Sequence, residues 1–147
     1  MTEKPLQPPM IQLTPHEKSV LIPILKRMSE ASQISMTLER LVDNWEKFSQ
    51  EVANGYRLTG YDYANHLAGR DLLDRIVSEV PPRLRDRLFK TYLGPADSRF
   101  RDASRPLNKP VFGAPANPKW WWLRAPNDLS GALAADLLTE EGLNESG

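Results

Sequence analysis

The chemistry open to this 147-residue chain begins with its two histidines, His16 and His66. They have neither His-x3-His nor His-Glu-x-x-His spacing, so a zinc site would have to be assembled from distant parts, and no metal or cofactor is expected. His66 lies in the densest polar and aromatic cluster: Tyr56, Tyr61, Asp62, Tyr63, Asn65, His66, Arg70 and Asp71. On a helix starting at Thr59, Asp62, His66 and Arg70 follow one another at i, i+4 and share one stripe. A carboxylate beside an imidazole orients a general base, which is the enzymatic reading of the segment. Against it, Asp62 has a capping role, Arg70 with Asp74 and Asp71 with Arg75 are spaced as local ion pairs, and no Gly-x-Ser-x-Gly turn presents a nucleophile. No catalytic residue is assigned. The absence of cysteine removes thiolate ligands, Cys nucleophiles and disulfides.

Trp120, Trp121 and Trp122 stand in a row before Leu123-Arg124-Ala125-Pro126. Adjacent side chains point about 100° apart on a helix and to opposite sides of a strand, so one regular face cannot bury all three rings. Five prolines between Pro106 and Pro126 disfavour a long helix there. In an extended strap, Trp120 and Trp122 would face the chain's own helices, and Trp121 would look outward beside Arg124. An outward indole next to an arginine is hot-spot chemistry for a protein partner.

Charge is balanced overall, with 19 Lys and Arg against 19 Asp and Glu, so no global field draws the chain to nucleic acid or to a membrane. Residues 83 to 105 nevertheless hold seven Arg or Lys against three Asp, a net of +4. Arg83, Arg87 and Lys90 in that segment, with Trp121 and Arg124, form the expected partner-binding set. The same segment supports an alternative reading as a phosphate-contacting regulator, although no helix-turn-helix or aromatic RNA motif accompanies it.

These groups need elements to position them. Thr14-Pro15-His16-Glu17 is a capping box with Pro at the first helical position, and Pro23 further along predicts a kink or two short helices. Leu38, Leu41, Val42, Trp45, Phe48 and Val52 follow the spacing of a core-facing helical stripe, with Asp43 and Lys47 as an exposed i, i+4 pair and Asn54-Gly55 as the stop. Thr59 and Asp62 cap a third helix, with Leu58 and Tyr63 spaced as a hydrophobic staple. Leu67, Leu73, Ile76, Val77 and Val80 continue its buried side to Pro81-Pro82. Leu84, Leu88, Phe89, Tyr92 and Leu93 carry a fourth helix, which Gly94-Pro95 is expected to interrupt before a short fifth with Phe100 inward. Ser130 is placed to cap a terminal helix through Leu133, Leu137 and Leu138.

The expected fold is an all-α bundle of four or five helices over residues 14–105, with a core containing Leu38, Leu41, Val42, Trp45, Phe48, Val52, Leu73, Ile76, Leu84 and Leu88. An extended arm (1–13) precedes it, a Pro- and Trp-rich strap (106–127) follows, and a short helix with a fraying tail (128–147) ends the chain. No apolar run has membrane-span length and the start lacks a signal-peptide core, so a cytoplasmic location is expected. The best-supported function is a non-enzymatic module binding another protein, in the manner of an inhibitor, immunity, adaptor or accessory-subunit protein. Nucleic-acid binding through residues 83–105 comes second, and an enzyme centred on Asp62 and His66 third.

Overall fold

A computed structural model describes residues 11–32, 37–56 and 59–128. The N-terminal arm before Ile11, the Leu58 half of the staple, and the helix capped by Ser130 lie outside these residues.

Local capping starts the helices where the sequence places them. The Thr14 amide donates to Glu17 Oε1 (2.9 Å) and the Glu17 amide to Thr14 Oγ1 (3.1 Å), opening α1 (Pro15–Ser32). Pro23 does not divide it: α1 runs unbroken, with Pro23 on its exposed side and Leu21, Ile24 and Met28 on its buried side. The carbonyl that loses its donor one turn earlier, on Ser19, thus belongs to an exposed residue, and burial of the opposite stripe offsets the lost bond.

Thr37 caps α2 (Leu38–Ala53), its hydroxyl accepting the Arg40 amide at 3.1 Å. The expected stripe is buried apart from Leu41, which is half-buried, and Lys47 reaches Asp43 at 2.9 Å. Gly55, at φ +94°, ends the helix in the left-handed conformation only glycine adopts cheaply. The capping box of Thr59 and Asp62 opens α3 (Gly60–Glu79). Immediately after Pro81, α4 (Pro82–Leu88) begins, and its Arg85 donates to the carbonyls of Val77 (2.8 Å) and Val80 (3.3 Å), satisfying acceptors that the end of α3 leaves open.

Gly94-Pro95 does not interrupt the next helix. The chain passes from α4 through a π turn (Phe89–Leu93) into α5 (Gly94–Asp102) and stays helical throughout. The Gly94 amide donates to the Phe89 carbonyl, and Pro95, which has no amide to donate, falls at this irregular turn, where the regular ladder is already interrupted. A Cβ on Gly94 would stand 2.7 Å from that carbonyl oxygen, so glycine is required by close approach rather than by its φ.

The helices pack around α2, which contacts both α3 and α5. Phe48 sits at the centre, with the rings of Trp45, Tyr56, Tyr63, His66 and Phe100 between 4.7 and 5.5 Å from its own. The Pro-rich segment is a loop closed at its base rather than an open strap. Strand β1 (Ser104–Pro106) pairs antiparallel with β2 (Arg124–Pro126), Arg105 opposite Ala125, and Val111 donates to the Trp122 carbonyl at 2.9 Å. The period-2 pattern is too short to be legible over three residues.

Replacing glycine by alanine inside a helix normally stabilises by about 1 kcal/mol. At Gly94 the opposite sign is expected, a loss of about 1–3 kcal/mol in urea unfolding, because the methyl group must displace the Phe89 carbonyl. A midpoint unchanged or raised in Gly94→Ala would contradict the π turn.

Candidate functional site

Two charged residues occupy positions that helical spacing reserves for the core. On α3, Arg70 continues the buried series Tyr63, Leu67 and is 2% exposed; on α5, Asp97 stands between buried Leu93 and Phe100 and is 6% exposed. They meet as a fork: Arg70 Nε donates to Asp97 Oδ1 (3.1 Å) and Nη2 to Oδ2 (2.9 Å). Trp45 Nε1 adds a third donor to Oδ1 at 2.7 Å. The guanidinium lies 4.4 Å from the Trp121 ring centre, with the rings of Trp45 and Phe89 at 5.8 and 5.9 Å. Arg70 Nη1 is buried without a hydrogen-bond partner. A planar, weakly hydrated cation on indole is the arrangement in which burying charge costs least.

The local ion pairs expected on α3 do not form. Arg70 takes Asp97 instead of Asp74, Asp74 approaches Lys119 at 3.7 Å, and Asp71 accepts two indoles: Trp121 Nε1 on Oδ1 and Trp122 Nε1 on Oδ2, both at 2.9 Å. An exposed i, i+4 pair contributes about 0.3 kcal/mol, less than hydrogen bonds that satisfy buried indole N–H groups.

That carboxylate decides how the tryptophan run is arranged, and it reverses the expected orientation. Trp120–Leu123 is a 3-10 turn, not an extended strap. Trp121 and Trp122 are buried at 2% and 1% exposure, while Trp120 is the half-exposed ring. Trp121 therefore offers no outward surface. Arg101 lies 3.9 Å from the centre of the Trp120 ring, whose inner side meets Phe100 and Trp121.

The other expected contact residues divide. Arg124 is turned inward, donating to Ser104 Oγ and the Ser104 carbonyl (both 2.8 Å) and to the Arg101 carbonyl (3.1 Å). Arg87 forks onto Glu17 (2.9 and 2.6 Å) and holds the Gln12 carbonyl at 3.0 Å, tying the start of α1 to α4. The Arg87 guanidinium, with the Thr14 amide, lowers the Glu17 carboxyl to about 2. Arg83 and Lys90 are exposed and have no ion-pair partner among the described residues. Elsewhere in the basic segment, Arg99 donates to Ser49 Oγ (3.0 Å), leaving Arg105 exposed.

The Asp62 and His66 pairing is not assembled. Asp62 accepts from the Thr59 amide and hydroxyl (3.3 and 2.9 Å), whereas His66 stacks on Phe48 at 4.7 Å, where burial lowers its pKa. Among the described residues no group of three or more His, Asp or Glu is placed to hold a metal ion, and no helix is long and apolar enough to cross a membrane.

Removing one half of a buried pair strands the other, so Asp97→Ala should cost about 3–5 kcal/mol in denaturant unfolding. The double variant Arg70→Met/Asp97→Leu should recover much of that loss, because no uncompensated charge remains. A double variant as damaged as the sum of its singles would show that the two residues do not act as a pair.

Acidification should destabilise the fold in two windows. Glu17 has a folded pKa below its unfolded one, so its contribution is present above 4.5 and is lost as pH falls from there toward 2. His66 binds its proton more readily once unfolded, so stability declines as pH falls through about 6.5. Melting temperatures against pH should lose the lower window in Glu17→Gln and the upper one in His66→Phe.

No protein-family model, curated protein or solved structure matches the chain.

Proposed function

We propose that the chain is a non-enzymatic module that binds another protein through the face carrying Trp120 and Arg101. The observation supporting this reading is the stacked pair itself: a half-buried indole at the edge of the core with a guanidinium 3.9 Å from its ring centre. Trp and Arg are the residue types enriched at interface hot spots, and an arginine already laid on an indole loses less side-chain freedom on binding. A guanidinium stacked on a ring face can still donate from its edge, which suits a partner carboxylate.

The enzymatic reading is less favoured because Asp62, His66, Arg70, Asp71 and Asp97 are all engaged in capping, stacking or buried hydrogen bonds. Nucleic-acid binding is less favoured because Arg85, Arg87 and Arg99 donate hydrogen bonds within the chain, which reduces the cations of the basic segment left for phosphates. The fold suits inhibitor, immunity, adaptor or accessory-subunit roles equally. A cysteine-free chain fits the reducing cytoplasm, which we take as its location.

The test is affinity capture from the native source with three baits: the parent chain, Trp120→Ala and Arg101→Glu. A stoichiometric protein held by the parent should bind each variant about 2 kcal/mol or more weakly, roughly thirtyfold in Kd. Arg101→Glu should melt close to the parent and Trp120→Ala, whose ring packs on Phe100 and Trp121, should lose less stability than Trp121→Ala and Trp122→Ala, which should each lose about 3–5 kcal/mol. Equal capture by all three baits, or a nucleic acid retained at physiological salt, would remove this face as the binding surface.

A further inference from the structure

We infer that the group taken up by the Trp120 face is the side-chain carboxylate of a partner's Asp or Glu, bridged between the Trp120 indole N–H and the Arg101 guanidinium. The inference rests on that face being the binding surface, and it names what is bound there.

The chain has four tryptophans, and three of them donate the indole N–H to an aspartate: Trp45 to Asp97 (2.7 Å), and Trp121 and Trp122 to the two oxygens of Asp71 (both 2.9 Å). The fourth, Trp120, is half-buried, and its N–H has no hydrogen-bond partner among the described residues. The interior shows how an indole and a guanidinium share one acceptor. Asp97 accepts from Trp45 Nε1 and from both arms of Arg70, whose guanidinium lies 5.8 Å from the centre of that same indole. At the surface the two donor types recur closer together, with Arg101 3.9 Å from the centre of the Trp120 ring. Arg101 is exposed, and its guanidinium has neither ion pair nor hydrogen bond among the described residues.

The acids nearby are already committed. Asp71 holds two indoles, Asp97 holds Arg70 and Trp45, and Asp74 stands 3.7 Å from Lys119. Residues 99–124 carry six Lys or Arg and a single acid, Asp102, which lines the groove between α2 and α5 instead. An incoming carboxylate therefore meets a cationic surround and two donors that already lie together, so little side-chain freedom is lost on binding. Its two oxygens suit the pair, one for the indole and one for the guanidinium edge. A nucleic acid would call for several cations along a backbone and for open ring faces on which bases stack, whereas Arg101 covers one face of Trp120. Both donors are side chains, not the backbone amides that capture a chain terminus, which favours an Asp or Glu side chain over a C-terminal carboxylate.

The four indole N–H signals of the full-length protein report on this directly in nuclear magnetic resonance. The probes are acetyl-Leu-Asp-Leu-amide, its Asn counterpart acetyl-Leu-Asn-Leu-amide, and inorganic phosphate. The Asp peptide should move the Trp120 indole signal downfield and saturably while the other three stay in place, and the Asn peptide should not move it. Arg101→Gln should weaken that titration about tenfold or more, the loss of one charge-assisted hydrogen bond. Trp120→Phe keeps a ring for Arg101 and Phe100 to pack on and removes only the N–H, so a partner captured by the parent chain should bind it about tenfold or more weakly as well. Parent-like binding by Trp120→Phe, with binding lost in Trp120→Ala, would leave the face as the binding surface but overturn the carboxylate. Equal shifts from the Asp and Asn peptides, or no shift of the Trp120 signal up to the solubility of the Asp peptide, would overturn it too. Tighter binding of phosphate than of the Asp peptide would reassign the pair to a phosphate-bearing partner.

Discussion

The pairing of Arg70 with Asp97 is the constraint to which the rest of the molecule is fitted. Moving either ion from water into a packed interior costs several kcal/mol, and the mutual attraction repays this only when the remaining polar groups also find partners. Asp97 is fully answered, by two arms of the fork and the Trp45 indole. Arg70 is answered in part by hydrogen bonds and in part by the faces of three aromatic rings. Four separate segments are thereby held at one point: α2 through Trp45, α3 through Arg70, α5 through Asp97 and the loop through Trp121. An apolar core tolerates sliding of one helix against another better than a bidentate fork does. We regard the pair as specifying the arrangement of the helices more than adding to their net stability.

Asp71 performs the matching task for the loop. Two consecutive buried indoles each require an acceptor, and a single carboxylate with two oxygens supplies both. This is why Trp121 and Trp122 share one environment although no regular helix face or strand would allow it. Trp120, the ring left over, has no such acceptor among the described residues and stays half-buried at the edge of the core beside Arg101. The inward pull on two rings and the outward position of the third have a common origin in the tight turn.

What was legible in the sequence and what was not divides by distance along the chain. The capping boxes at Thr14 and Thr59, the stripe of α2 and the left-handed Gly55 depend on residues within a few positions of one another, and each was readable as a pattern. The site was not. Arg70 and Asp97 are 27 residues apart, Trp45 and Asp97 are 52 apart, and Asp71 reaches tryptophans 50 and 51 residues away. For such residues the nearest opposite charge is the natural sequence-level partner, and the fold overrides it. The available signal was subtler: a cation and an anion each standing in a helical stripe otherwise made of apolar residues.

The π turn has a bearing on how this chain tolerates changes of length. Along the α4–α5 helix the inward positions run Leu84, Leu88, Leu93, Asp97, Phe100, with steps of four, five, four and three. The step of five marks a single surplus residue, accommodated where the Gly94 amide reaches back to Phe89. Without that surplus the helix would be regular and its backbone hydrogen bonding simpler, yet everything beyond would be turned by about 100°, carrying Asp97 away from Arg70. The irregular turn acts as a phase shifter, and residues 89–93 are the stretch where an insertion or deletion of one residue would uncouple the buried pair while leaving each half of the helix intact.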